Sequence, residues 1–476
     1  MMRSITLLGI LGLLLATVAP PPADAAASAK KYEANWASLD SRPAPAWFTE
    51  AKFGIFIHWG VYSVPAWGQR GKYAEWYWHD MQDKKAPTWK FHERVFGPEF
   101  PYQDFAPQFR AEMFDPDAWA DVFARAGARY VVLTSKHHEG FALWPSAEAS
   151  RSWGRPWNAV EIGPKRDLVG DLTKAVRAKG LKMGLYYSLY EWYHPWYKSD
   201  FAKFRDEHFF PQFKDVVTRY KPSLIFADGE WEHPSADWKS EELLAWLYNE
   251  SGCGDELIID DRWGKDTRSR HGGYFTTEYG QVGGNQKLEG GKPWEECRGI
   301  GASFGYNRNE DYDQYRTAPE LIRLLVELSS HGGNLLLDIG PTADGRIPVI
   351  MQDRLIEMGK WLKKNGEAIY GTTAGPWRKA PYSGAATVKG TTLYLHVFAW
   401  PEGRLAVPGL KGDILGVETV DPTLGAAKFE VKEEGGARVL YIDRPRQLDL
   451  AATVIAVRFR SAPAVDEPPA AAGEKK

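Results

Sequence analysis

The stretch SLIFADGEW, Ser223–Trp231, decides the fold. Leu224-Ile225-Phe226-Ala227 is apolar without alternation, so both faces of this strand are covered, as in a parallel sheet flanked by helices. The run stops at Asp228, and Glu230 and Trp231 follow at once. A carboxylate at the carboxyl end of such a strand stands at the rim where α/β barrels keep their chemistry. Asp-Gly is also an ordinary loop opener, so this stretch alone does not separate a turn from a site. The other strand ends do.

Upstream, FGIFIHW (Phe53–Trp59) closes on His58, and a long aromatic loop follows to Met81. YVVLTS (Tyr130–Ser135) runs into Lys136-His137-His138-Glu139-Gly140, and KMGLYYSL (Lys182–Leu189) into Tyr190-Glu191-Trp192. Downstream, Glu256–Asp260 leads to Asp261-Arg262-Trp263, and Asn334–Ile339 to a tight turn at Gly340–Gly345. Helical spacing covers Phe114–Ala128, Asp167–Lys179, Phe201–Tyr220, Glu241–Asn249, Pro319–Ser330 and Met351–Lys364. These are βα units, six or seven in number, because the Gly-rich region Gly264–Gly305 shows no readable period.

The expected class is α/β, an irregular (β/α)8 TIM-like barrel over 30–375. After Gly375-Pro376 the helices stop, and six short strands between Thr392 and Phe459 alternate with Gly, Pro and Asp turns. That pattern predicts a C-terminal antiparallel β-sandwich over 376–461. The Pro-, Ala- and charge-rich tail, 462–476, is expected to be disordered. No Gly-x-Gly-x-x-Gly follows a strand, so a dinucleotide fold has no support.

A net charge of −3 gives no basic field for nucleic acid. Arg3, the apolar run Ile5–Val18 and small residues up to Ala29 form a signal peptide pattern over 1–29. The run is short for a membrane span. Export to a secreted, periplasmic or lysosome-like space is the expectation. Cys253 and Cys297 are the only cysteines, enough for one disulfide and too few for a four-thiolate zinc site. Oligomeric state, including a homo-oligomer, stays open.

His58, His137, His138, Glu191, Asp228 and Arg262 all fall where buried strands emerge, which is the pattern of a site at a barrel mouth. Pockets lined by acids and aromatics suit neutral polyhydroxylated substrates. Glycoside cleavage needs two carboxyl groups, one to attack the sugar or activate water and one to protonate the leaving oxygen.

Eight segments, taken in order, carry a resemblance. They are FGIFIHWG (Phe53–Gly60), YAEWYWHDM (Tyr73–Met81), SKHHEGFALW (Ser135–Trp144), YYSLYEW (Tyr186–Trp192), LIFADGEW, DDRWG (Asp260–Gly264), SFGYNRNED (Ser303–Asp311) and GGNLLLDIGPTADGRIP (Gly332–Pro348). From about Phe53 to Gly371 the chain resembles glycoside hydrolase family 29, the retaining α-L-fucosidases. The resemblance implies exo-acting release of terminal α-L-fucose from glycans, with no cofactor and no metal. It implies Asp228 as the nucleophile, and His58, Glu75, His137 and His138 on the sugar hydroxyls. Trp67 and Tyr186 match aromatic pocket residues, Arg262 an arginine of the site, and Phe304 the wall at the sugar's methyl group. Glu278, in Thr-Thr-Glu-Tyr, matches the acid/base, with Glu295 of PWEEC as its rival. Phe226 stands where many relatives carry Trp.

Two readings from other classes remain beside this one. A carbohydrate-binding protein on a dead barrel would lack the paired acids, and a metal-dependent hydrolase would use His137 and His138 as ligands. Adjacent strand residues point to opposite faces, so those two histidines share a metal only if the strand has already ended.

Overall fold

A computed structural model describes residues 32–280 and 291–466. The expected signal peptide lies outside the described residues, as do the last ten residues of the tail.

Eight parallel strands build the main sheet: β1 Phe53–Ile57, β2 Tyr130–Lys136, β3 Lys182–Ser188, β4 Leu224–Asp228, β5 Ile258–Ile259, β6 Phe275–Glu278, β7 Trp294–Gly299 and β8 Asn334–Ile339. Their order is β5-β4-β3-β2-β1-β8-β7-β6. Residues alternate between two apolar layers, as the pleat requires. Phe56, Val132, Leu224, Phe226 and Leu336 turn into the barrel. Ile55, Ile57, Val131, Leu133, Leu335 and Leu337 turn out toward the helices. Burial on both faces explains why these strands read as unbroken apolar runs.

The barrel is irregular at the join between β5 and β6, which share no strand ladder, and at a register shift between β2 and β3 at Thr134–Lys136. Gly273 and Tyr274 donate their amides to the Ile259 carbonyl at 3.0 and 3.2 Å. The Asp261 carboxylate then accepts from Thr276 N at 3.2 Å and Thr276 Oγ1 at 2.8 Å. Side chains therefore finish the closure where backbone pairing stops.

The region Gly264–Gly305, unreadable by periodicity, holds β6 and β7. FTTE and WEECRG turn polar side chains inward, so neither shows the apolar signature of its neighbours.

The helical run 201–220 contains a π-helical turn, Phe204–Phe209, between the α-helical pieces Phe201–Lys203 and Phe210–Tyr220. Such turns insert an extra residue and re-aim side chains. Here His208 is fully buried and points to Glu191.

Beyond the barrel, an antiparallel sheet runs Ile414–Thr419, Thr453–Phe459, Thr392–Val397, Gly384–Lys389, Thr373–Ala374. A second sheet orders Leu405–Pro408, Ala437–Ile442, Phe429–Glu434. Leu393, Leu395, Ile455 and Val457 of the first share a core with Leu405, Val407, Leu440 and Ile442 of the second, which makes the pair a sandwich. Order continues past 461: Ala464–Val465 pairs with Leu410–Lys411. Arg323 Nε donates to Ala451 O at 2.8 Å and Lys364 pairs with Asp421 at 2.9 Å, tying barrel helices to the sandwich. Cys253 and Cys297 do not pair; both thiols are free. Among the described residues no helix is long and apolar enough to cross a membrane.

Candidate active site

Asp228 ends β4 and is placed by its pairing with Ser188 of β3. Its Oδ1 receives Arg262 Nη1 at 2.9 Å, and its Oδ2 receives the Tyr186 hydroxyl at 2.9 Å. His138 Nε2 stands 3.6 Å from Oδ2, and Arg268 Nη2 is 3.8 Å from Oδ1. Burial pushes this carboxyl up, but the opposing charge of Arg262, with Arg268 beyond it, outweighs burial and holds the group well below the usual carboxylate range. Asp228 is therefore ionised at any working pH.

Arg262 is buried just past β5. Its Nε donates to Thr276 Oγ1 at 3.0 Å, and its guanidinium carbon lies 4.7 Å from the Phe226 ring centroid. The free arm, Nη2, reaches Glu278 Oε2 at 3.4 Å. Glu278 is the last residue of β6 and keeps 30 % of its side chain exposed. Tyr73 donates its hydroxyl to Glu278 Oε1 at 3.1 Å. Two carboxylates from separate strands thus share one guanidinium, with a small cavity beside them of about 60 Å³.

Histidines form the opposite wall, each with Nδ1 turned away from the cavity. His58 Nδ1 meets Asp338 Oδ1 at 2.7 Å, His138 Nδ1 meets Ser188 Oγ at 2.6 Å, and His137 Nδ1 lies 3.5 Å from Glu139 Oε2. Ser188 spends its own proton on the Tyr190 carbonyl at 2.5 Å, so it accepts from His138. Burial keeps His58 and His138 well below the ordinary histidine value. His138 is then neutral with Nε2 bare, ready to accept from a sugar hydroxyl. Glu75 is buried below the lip, where its Oε2 accepts from Gly305 N at 2.8 Å, and burial raises its carboxyl to about 7.

Phe56, Phe226, Tyr186 and Phe304 supply the apolar floor. Phe304 stacks on His58 with centroids 4.8 Å apart. Cys297 completes the lining from β7.

Two sequence expectations need correction. Trp67 does not line the cavity; it lies flat on Phe91, centroids 4.7 Å apart and planes at 5°. Trp76, the neighbour of Glu75, takes the wall position instead. Glu295 is the second residue of β7 and pairs in register with Asn334, the first of β8, which puts it at the amino end of the barrel. Buried there, it accepts a hydrogen bond from Tyr130 and cannot reach the mouth.

Tyr73, Trp76, Trp231 and Cys297 line the cavity without having been singled out as site residues. For Trp76 and Trp231 the signal was adjacency, each directly following a rim acid, Glu75 and Glu230. Glu230 itself is buried and accepts from Arg268 Nε at 2.6 Å.

Glu191 lies behind His138 rather than in the cavity. Glu191, His194 and His208 bring ligating atoms within 4.8 Å of one another. Their positive charge is already supplied: Lys136 Nζ sits 2.6 Å from Glu191 Oε1.

Fold and site together define a barrel hydrolase with two acids and a small pocket at its carboxyl mouth. The family model described as Alpha-L-fucosidase matches residues 21–367. The chain is 47 % identical over 403 residues to a tissue α-L-fucosidase of Rattus norvegicus, covering 82 % of this chain and 84 % of that one. It is 46 % identical over 411 residues to that of Homo sapiens, covering 81 % and 85 %. A Thermotoga maritima α-fucosidase solved in complex with fucose superposes with a TM-score of 0.75 at 35 % identity, covering 90 % of this chain and all of that one. This chain belongs to the α-L-fucosidase family.

Proposed function

We propose that the protein hydrolyses terminal α-L-fucose from glycans with retention at the anomeric carbon. Asp228 attacks C1 and the glycosidic bond breaks as Glu278 delivers its proton to the leaving oxygen. Glu278 then takes a proton from water, whose oxygen attacks C1 and frees Asp228. His58, His137, His138 and Glu75 hold the hydroxyls, while Phe304 and Phe226 face the C5 methyl.

The observation that carries this reading is Arg262, bonded to Asp228 on one arm and Glu278 on the other. Retaining enzymes hold their two carboxyls close together, roughly 5–5.5 Å apart, and one guanidinium bonded to both Asp228 and Glu278 supports such a pairing. The arginine also keeps Asp228 anionic for attack.

Azide separates the roles. Asp228→Ala with azide should give β-L-fucosyl azide, inverted. Glu278→Ala should still react with activated aryl fucosides, and azide should then give the α-anomer. Azide products of the same configuration from both variants would refute the assignment. Substrates are terminally fucosylated glycans, and export follows from the leader pattern at Arg3 and Ile5–Val18.

A further inference from the structure

The cavity at Asp228 has room for no more than one sugar ring, so the rest of a glycan must lie outside it. Its lip is made by Tyr73, Trp76, Trp231 and Glu278, none of them buried. Glu278 is the group assigned to the leaving oxygen, so the leaving sugar crosses this lip.

The lip continues outward as a run of aromatic rings. Trp231 keeps 37 % of its surface exposed and stacks on Trp76 with centroids 5.8 Å apart and planes at 29°. Trp76 meets Trp192 at 5.1 Å and His79 at 5.0 Å. Trp192 meets Tyr193, also 37 % exposed, at 6.5 Å. The His79 side chain is half exposed. A run of neighbouring exposed rings, unlike a ring exposed singly, marks a surface that a ligand covers.

We infer that Trp231, Trp76, His79 and Tyr193 form a shelf that binds the sugars on the leaving side of the fucosyl bond. The occupant is the neutral oligosaccharide that carries the fucose. Continuity argues for it, since Trp76 and Trp231 line the cavity and the shelf begins where the cavity ends. Chemistry argues for it as well. The C–H face of a pyranose covers a flat apolar ring, and Trp is the largest such face. Arg268, 39 % exposed and bonded to Glu230, stands at the same mouth as a donor to the sugar's hydroxyls. This inference rests on the fucosidase reading and adds where the leaving portion is held.

The test compares two substrates. α-L-Fucosyl fluoride has no leaving sugar, whereas a fucosylated trisaccharide engages the shelf. For Trp231→Ala, the ratio of kcat/KM on the trisaccharide to kcat/KM on the fluoride should fall at least tenfold. Tyr193→Ala should lower it about threefold, and Trp231→Phe, which keeps a flat ring, should restore most of it. A ratio within twofold of the parent in both alanine variants overturns the shelf. Absence of fluoride hydrolysis in the unmodified protein would instead refute the fucosidase reading itself.

Discussion

The carboxyl of Asp338 on β8 meets Nδ1 of His58, just past β1, at 2.7 Å with both side chains buried. Burial raises the acid and lowers the base, which favours the uncharged form of each. The effect of the pair is mechanical: the ring cannot rotate, and Nε2 stays turned to the cavity. Asp338→Ala should release the ring and weaken one hydrogen bond to the sugar, worth about 1–1.5 kcal/mol. The inhibition constant for L-fucose should then rise roughly tenfold. An unchanged constant would mean that His58 does not touch the sugar.

Glu295 and Glu278 are told apart by pH as well as by place. Burial raises Glu295 to about 8 in the folded chain, against 4.5 for an ordinary glutamate. Between those values the folded state holds a proton that the unfolded state has lost, so stability falls as pH rises. Below about 4.5 both states are protonated and the effect is flat. Gln is the shape of the protonated acid, and its carbonyl still accepts from Tyr130. Glu295→Gln should therefore match the parent's Tm near pH 4.5 and exceed it at pH 8, by at most a few kcal/mol of stability. Turnover should persist on both aryl fucosides and oligosaccharides. Lost turnover on oligosaccharides alone would return Glu295 to contention as the acid.

What could be read without coordinates was whatever lay on a strand buried on both faces. Asp228, His58, His137, His138 and Arg262 each end or follow such a strand, so their type and position were visible together. β6 and β7 escaped because their inward faces carry Thr276, Glu278, Glu295 and Cys297 instead of Leu or Ile. With β7 unplaced, nothing in the letters says which barrel end Glu295 occupies. Trp67 and Trp76 differ only by which turn of one aromatic loop faces inward, a property of the loop's path and not of residue type. Asp338 was hidden for another reason: its partner His58 is 280 positions away.

That distinction between tryptophans is measurable. Trp67 packs on Phe91 away from the cavity. Trp67→Ala should cost about 1–3 kcal/mol of stability, the range for a partly buried aromatic. KM for an aryl fucoside should stay within twofold. Trp76→Ala removes a lip side chain and should raise that KM at least fivefold at a smaller cost in Tm. The reverse pattern would put Trp67 back at the sugar.

Lys136, Glu191 and His208 form a sealed cluster directly behind His137 and His138. Glu191 Oε1 lies 2.6 Å from both Lys136 Nζ and His208 Nε2, and Trp153 Nε1 reaches Oε2 at 2.9 Å. The amide of Trp192, next to Glu191, donates to the His138 carbonyl at 2.9 Å, so the cluster also pins the histidine turn. Burial pushes the Glu191 carboxyl up, but His208 and Lys136 outweigh it and hold the group far below its ordinary value. A depressed acid adds stability above the unfolded value and loses it as pH falls. Glu191→Gln strands a buried ammonium and should cost about 3–5 kcal/mol at neutral pH. The Tm gap to the parent should narrow on acidification below about pH 4.5. Because the lysine already neutralises the carboxylate, dialysis against EDTA should leave kcat and Tm of the parent unchanged. A drop in either on chelation, reversed by a divalent ion, would show that Glu191, His194 and His208 hold a metal and that Lys136 is not their counter-charge.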